Sequence, residues 1–196
     1  MAVRALIALA TLLASAAAPA LAHTGAGSVS GFAAGFGHPM GGLDHMLAMI
    51  AVGLLGASLG GRWMWALPAT FIAVMVVGGV AGMSGAPLPL VELGIKGSVV
   101  VLGLAIVFGA NVTGVAAAAL VGVFALFHGH AHGTEMPASV AALEYGAGFV
   151  AATALLHAAG LGVGLSTGFL SGRTGVLARQ AGGGAIAALG LVVLLG

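Results

Sequence analysis

The sequence contains no cysteine, and charged residues make up only 5% of its 196 residues. The absence of cysteine excludes disulfides, thiolate metal sites and cysteine nucleophiles. Soluble domains carry about 25% charged residues, whereas this chain is 61% hydrophobic with a mean hydropathy of +1.22. We therefore predict an all-α, polytopic membrane protein that is embedded in the lipid bilayer.

Two further absences narrow the function. The net charge is only +1 and no basic patch is present, so nucleic acid is not predicted as a partner. The G-x-x-x-x-G-K-[ST] phosphate-binding loop is also missing, which predicts that the chain does not itself hydrolyse ATP. Histidine, by contrast, is frequent, since seven copies accompany only five basic and four acidic residues.

Residues 1–22 are predicted to be a cleaved signal peptide. Arg4 provides the positive start, an apolar core follows, and Ala20–Ala22 form an A-x-A cleavage site. The alternative is a first transmembrane helix that is never removed. Cleavage would make His23 the new N-terminus, where a free amine beside the imidazole can chelate a metal.

Residues 23–196 are predicted to form one domain of six transmembrane helices. Six apolar stretches are each close to the roughly 20 residues that cross a bilayer, and they span 42–60, 64–83, 89–110, 113–131, 139–162 and 175–196. If the mature N-terminus lies outside, the inner loop regions hold Arg62, Arg173 and Arg179, and the outer loops hold no Lys or Arg. This is the distribution that the positive-inside rule requires. We predict the bacterial inner membrane as the location, with a periplasmic N-terminus.

The segment HPMGGLDH, residues 38–45, places an Asp and two His at the start of the first span. Ionisable groups at a membrane boundary are costly, and they therefore indicate a functional site. A continuous helix would put His38 and His45 on one face. Pro39 disfavours helix at the preceding residue, so the alternative is a loop carrying His38 that folds onto a helix mouth carrying Asp44 and His45. Either arrangement can gather two imidazoles and a carboxylate around one cation.

The segment FHGHAHGTE, residues 127–135, ends the fourth span at the same predicted face. His128 and His132 are four residues apart and share a helix face, a spacing that lets two imidazoles bind one metal. His130 points elsewhere if the helix continues, unless the flanking glycines open the backbone. Three His and Glu135 at a membrane mouth favour a metal site; the alternative is a surface loop that binds metal weakly or accepts protons.

The donor types limit the choice of ion. Imidazole nitrogen with carboxylate oxygen, and without sulfur, suits nickel, cobalt, zinc or iron(II) rather than copper(I). Because neutral imidazole is the ligand, binding should weaken below about pH 6.5. Asp44, Glu92 and Glu135 can either ligate the metal or orient a histidine. Glu92 and Lys96 are also four residues apart, so an intrahelical ion pair is the alternative for Glu92.

Two other ionisable residues lie in the fifth span. His157 is deeper in the span, and we interpret it as a core histidine rather than a ligand. Glu144, near the outer start of the span, is compatible with a structural role or with a place on the ion path.

The stretch HPMGGLDHMLAMIAVGLLGA resembles the HP-x-x-G-x-DH signature of the HupE/UreJ family, and FHGHAHGTE is similar to that family's second signature. The likeness extends to the signal peptide, the six spans and the length, so it covers essentially the whole chain. It implies a secondary permease that admits nickel, or in some members cobalt, to supply hydrogenase or urease maturation proteins. By position, it implies metal roles for His38, Asp44, His45, His128, His130, His132 and Glu135, and it adds Glu92 and the N-terminal His23.

These observations together predict a six-helix importer of a divalent transition metal, with nickel first and cobalt second. The metal is the cargo, and no resident cofactor is predicted. One alternative is an intramembrane enzyme whose metal activates water, although H-E-x-x-H is absent and no nucleophile lies beside the clusters. Another is a metal sensor or binding scaffold without translocation.

Overall fold

A computed structural model of the chain describes residues 30–137, 141–170 and 172–196. The predicted signal peptide and His23 lie outside these residues. The described part consists of helices and turns without a strand, which confirms the all-α class. The helices are α1 (Gly31–Gly37), α2 (Leu43–Leu59), α3 (Trp63–Met83), α4 (Val91–Val107), α5 (Gly114–Glu135), α6 (Ala142–Gly168) and α7 (Arg173–Leu195), with 3-10 helices at His38–Met40 and Gly109–Asn111.

The helices α2 to α7 follow the six predicted apolar stretches, but their lengths differ. Four of them, α3, α5, α6 and α7, have 21 to 27 residues and are long and apolar enough to cross a membrane. The other two, α2 and α4, have 17 residues each, or about 26 Å at 1.5 Å per residue. The described residues therefore show four candidate spans, or five if α1 and α2 together form one broken span, so the predicted number of six spans stays a prediction. The chain is a membrane protein.

The helix α2 lies at the centre of the bundle. It contacts α3, α4, α6 and α7. Its residues from Met46 to Met49 and from Ala51 to Gly56 are buried. A helix that is apolar on every side is expected in a core rather than at a surface. The first histidine motif thus leads directly into the most enclosed helix of the protein.

Close contacts at glycines define two parallel helix pairs. Gly78 packs against the backbone of Leu126, and Gly82 packs against that of His130, so α3 and α5 run parallel. The pair of α2 and α6 is parallel in the same way, whereas α4 and α7 are antiparallel. Small residues allow such close approach of membrane helices. As a result, the starts of α2, α4 and α6 and the ends of α3 and α5 meet at one end of the bundle, which we call the histidine end.

The first motif is a sharp bend rather than a continuous helix. The segment Gly31–Met40 makes an angle of 82° with α2. Pro39 lies in the first turn of the 3-10 helix, where its missing N–H costs nothing, and Gly42 is extended just before α2 begins. Of the two arrangements open at the sequence level, the loop that folds onto a helix mouth is the one observed.

Candidate metal site

Three histidines from α2 and α5 converge at the histidine end. One ring nitrogen each from His45, His128 and His132 lies within 4.8 Å of the others, a set that we call the inner group. His128 and His132 are buried, with exposed fractions of 0% and 4%, and His45 is half-buried. Donor atoms at this separation can share one transition-metal ion, because metal–imidazole bonds are about 2 Å long.

A second set overlaps the first and is more exposed. His38, His132 and Glu135 also bring one ligand atom each within 4.8 Å of one another, and we call this the outer group. Nε2 of His38 lies 3.2 Å from Oε2 of Glu135, and Nδ1 of His132 lies 3.8 Å from the same oxygen. The Glu135 side chain is half exposed. His132 therefore belongs to both groups, one at the surface and one inside the bundle.

Asp44 fixes the tautomer of His45. Its Oδ1 accepts hydrogen bonds from Nδ1 of His45 at 2.7 Å and from the backbone N–H of the same residue at 2.8 Å. Because an ionised carboxylate only accepts, Nδ1 carries the proton and Nε2 retains its lone pair. Nε2 is buried and has no hydrogen-bond partner among the described residues. Asp44 thus orients a candidate ligand, as carboxylates beside metal-binding histidines commonly do.

Ser98 of α4 has the corresponding effect on His128. Its hydroxyl donates to the carbonyl of Ile95 at 2.6 Å, so its oxygen is free to accept from Nε2 of His128 at 3.1 Å. With its proton on Nε2, His128 presents the Nδ1 lone pair, and that atom is buried and unpaired within the described structure. Sequence reasoning did not single out Ser98; its only signal is that it is a lone hydroxyl in an apolar helix.

The ring nitrogens of the inner group are costly to leave unpaired. Both nitrogens of His132 also have no hydrogen-bond partner in the described part of the chain. A buried polar atom without a partner destabilises a fold by about 1–3 kcal/mol. Coordination of a cation would satisfy one nitrogen on each of the three rings, so the donor set fits a metal ion.

Two aromatic side chains of α6 enclose the groups. The ring of Phe149 lies 4.2 Å from that of His132, and the ring of Tyr145 lies 5.9 Å from that of His38. Neither was identified from the sequence, because nothing in the pattern of α6 indicates which of its faces meets the histidines. Their rings exclude water and lower the local dielectric, which strengthens the attraction between a cation and its carboxylates.

The structure places His130 and Glu92 away from both groups. His130 donates from Nε2 to the backbone carbonyl of Ala86 at 2.6 Å, which ties α5 to the loop between α3 and α4. Glu92 is exposed at the start of α4, and in the described residues it forms no ion pair with Lys96. Their predicted metal roles therefore have no support from this geometry.

The glycines of the second motif serve packing rather than backbone opening. The helix α5 continues through the motif to Glu135. A Cβ at Gly129 would collide with the carbonyl of Met75, and one at Gly133 would collide with that of Gly79. Only glycine allows α5 to approach α3 this closely, and that approach holds His128 and His132 at their places.

Two comparisons with known proteins give the same family. Residues 10–193 match the HupE / UreJ protein family. The Protein HupE of Rhizobium leguminosarum bv. viciae is 44% identical over 187 residues, which are 95% of this chain and 96% of the relative. The chain belongs to the HupE/UreJ family. The resemblance read from the two motifs is thereby confirmed, and this family is associated with nickel and cobalt uptake for hydrogenase and urease. No solved structure matches this HupE/UreJ chain at a significant level.

Proposed function

We propose that this HupE/UreJ chain is a secondary importer that carries Ni²⁺, or Co²⁺ as the second choice, across the bacterial inner membrane to hydrogenase or urease maturation proteins. The observation that carries the proposal is that His132 belongs to both the outer and the inner group. A cation held by the outer group can exchange Glu135 and His38 for His45 and His128 through the ring of His132, which the two groups share. No step then requires a bare ion in the apolar interior.

The proposed ligands divide into capture and transfer. Glu92, exposed at the histidine end, and His23, if it is the mature N-terminus, would raise the cation concentration at the mouth. His38 and Glu135 bind first, and the inner group receives the ion. Asp44 offsets its charge and holds His45, while His130 fixes the loop at the mouth.

The orientation follows from charge. In the proposed arrangement α2 to α7 all cross the bilayer, in agreement with the parallel and antiparallel pairs that the glycine contacts define. Arg62, Arg173 and Arg179 then lie toward the end opposite to the histidines. The positive-inside rule assigns that end to the cytoplasm, so the histidine end and the N-terminus face the periplasm.

One observation favours a second candidate. Three imidazoles around an ion with a fourth position open is also the arrangement of catalytic zinc sites, so a metal-dependent enzyme remains the competing hypothesis. It differs from the importer in a measurable way, because an enzyme or a sensor would bind metal without moving it.

The test is uptake of radioactive Ni²⁺ into proteoliposomes that contain the full-length protein. His132→Asn removes the shared ligand, and we expect uptake to fall at least tenfold. The matched control is His130→Gln, whose amide Nε2 can still donate to Ala86, and we expect it to retain most of the uptake. Metal binding without any uptake by the wild type would favour the enzyme or the sensor, and full uptake by His132→Asn would reject the proposed route.

A further inference from the structure

Outside the inner group, two histidines are buried with one ring nitrogen that has no partner among the described residues: His130 at the histidine end and His157 deeper in the bundle. His157 of α6 is 2% exposed. Its Nδ1 lies 2.8 Å from the carbonyl of Met49, which can only accept, so Nδ1 carries the proton. Nε2 therefore has the lone pair, and it has no hydrogen-bond partner among the described residues. His45 and His128 are in the same condition, because one ring nitrogen is hydrogen-bonded and the other has no partner in the described structure.

His157 lies deeper in the bundle than the inner group, in the direction in which the proposed route runs. The ring of Phe149 packs on His132, and His157 lies eight residues later on α6, or about 12 Å further from the histidine end. His128 is one helical turn deeper than His132 on α5. The ring of Phe71 contacts both His128 and His157, with centroid separations of 5.6 Å and 5.1 Å. The side chain of Phe71 therefore lies between His128 of the inner group and the imidazole of His157.

Thr153 lies one helical turn before His157 on α6. The hydroxyl of Thr153, one turn nearer the histidine end, lies 3.8 Å from the sulfur of Met75, and both residues are buried. An unpaired nitrogen in this apolar interior costs stability, so a cation bound at Nε2 of His157 would stabilise the fold. A site with one strong donor suits an ion that must bind and then leave.

We propose that His157 is a further metal-binding station, at which Nε2 receives the divalent cation from the inner group on its way across the membrane. This inference rests on the proposed import function. It adds a ligand that lies outside both histidine motifs and extends the route from the mouth into the middle of α6.

The direct test is His157→Asn in full-length protein reconstituted in proteoliposomes. The Asn side-chain amide can still donate to the carbonyl of Met49, so the contact between α2 and α6 is retained while the ligand is removed. We expect equilibrium Ni²⁺ binding within twofold of the wild type and uptake reduced at least tenfold. Uptake at the wild-type rate would overturn the inference. Loss of binding and uptake together would also overturn it, because His157 would then support the inner group instead of receiving the ion.

A second test does not depend on transport. The chain has no cysteine, so His157→Cys introduces a single thiol at the proposed station. Addition of Co²⁺ should produce a sulfur-to-cobalt charge-transfer absorption in this variant and none in Val77→Cys, a control at a side chain that is 62% exposed on α3. Absence of the band in His157→Cys would overturn the inference. If the wild type imports no Ni²⁺, the proposed function fails and this inference fails with it. If the wild type imports Ni²⁺ and His157→Asn imports it at the same rate, only this inference is rejected.

Discussion

Ser98 and His128 join α4 to α5 through one hydrogen bond inside the membrane protein, 3.1 Å between Oγ and Nε2. The serine cannot donate this bond, since its proton is directed to Ile95 at 2.6 Å. A residue that never touches the ion thus decides which nitrogen of His128 faces the inner group. Partners of this kind typically change metal affinity 10- to 100-fold when they are removed.

The variant Ser98→Ala should therefore weaken Ni²⁺ binding about tenfold, because the His128 ring is then free to protonate on either nitrogen. Calorimetric titration of the purified protein measures this. Ser58→Ala is the matched control, since the Ser58 hydroxyl only donates to Leu54 within α2. Equal affinities in the two variants would show that Ser98 does not set the tautomer.

Asp44→Asn separates the charge of the carboxylate from its geometry. The Asn oxygen can still accept from Nδ1 and from the backbone N–H of His45, but the negative charge that offsets the cation is lost. We expect Ni²⁺ binding to weaken by at least tenfold with little change in thermal stability. Glu144→Gln is the control, since Glu144 belongs to neither group. Wild-type affinity in Asp44→Asn would mean that the charge is not used.

Gly129→Ala tests the packing that positions the second motif. The new Cβ would meet the carbonyl of Met75, and overpacking of this kind costs about 1–3 kcal/mol. We expect a lower melting temperature and weaker metal binding. Gly146→Ala, in α6 with open space at the corresponding position, should leave both unchanged or raise the melting temperature. A stable, fully binding Gly129→Ala would contradict the role assigned to this glycine.

Metal binding should be lost as the pH falls. Protons and the cation compete for the same lone pairs, so binding declines as the pH falls. We expect equilibrium Ni²⁺ binding to be weaker at pH 5.5 than at pH 7.5. Binding that is unchanged over this interval would indicate that carboxylates, and not imidazoles, hold the ion.

Most of the fold could be predicted from the sequence because long apolar stretches identify membrane helices. The errors have local causes. Gly133 suggested an early end to the fourth stretch, but the helix continues because this glycine packs on the backbone of Gly79. The short helix α1 was not predicted, since seven residues without an apolar period give no signal; Ser30 caps it and packing on α6 supports it.

The relative positions of site residues that lie on the same helix could be predicted from the sequence. The four-residue spacing put His128 and His132 on one face and His130 on another, which is the arrangement observed. What the sequence could not indicate is the contribution of other helices. Ser98 reaches the site only because α4 packs beside α5, and Tyr145 and Phe149 reach it because α6 packs beside α1 and α2. No spacing within α4 or α6 encodes these neighbours.

The two glycine-packed pairs give the inner group an unusual mechanical position. His45 belongs to the pair of α2 and α6, whereas His128 and His132 belong to the pair of α3 and α5. An ion held by all three would join the two pairs. A shift of one pair relative to the other would then change the number of ligands around the ion, even where the close contacts inside each pair stay as they are.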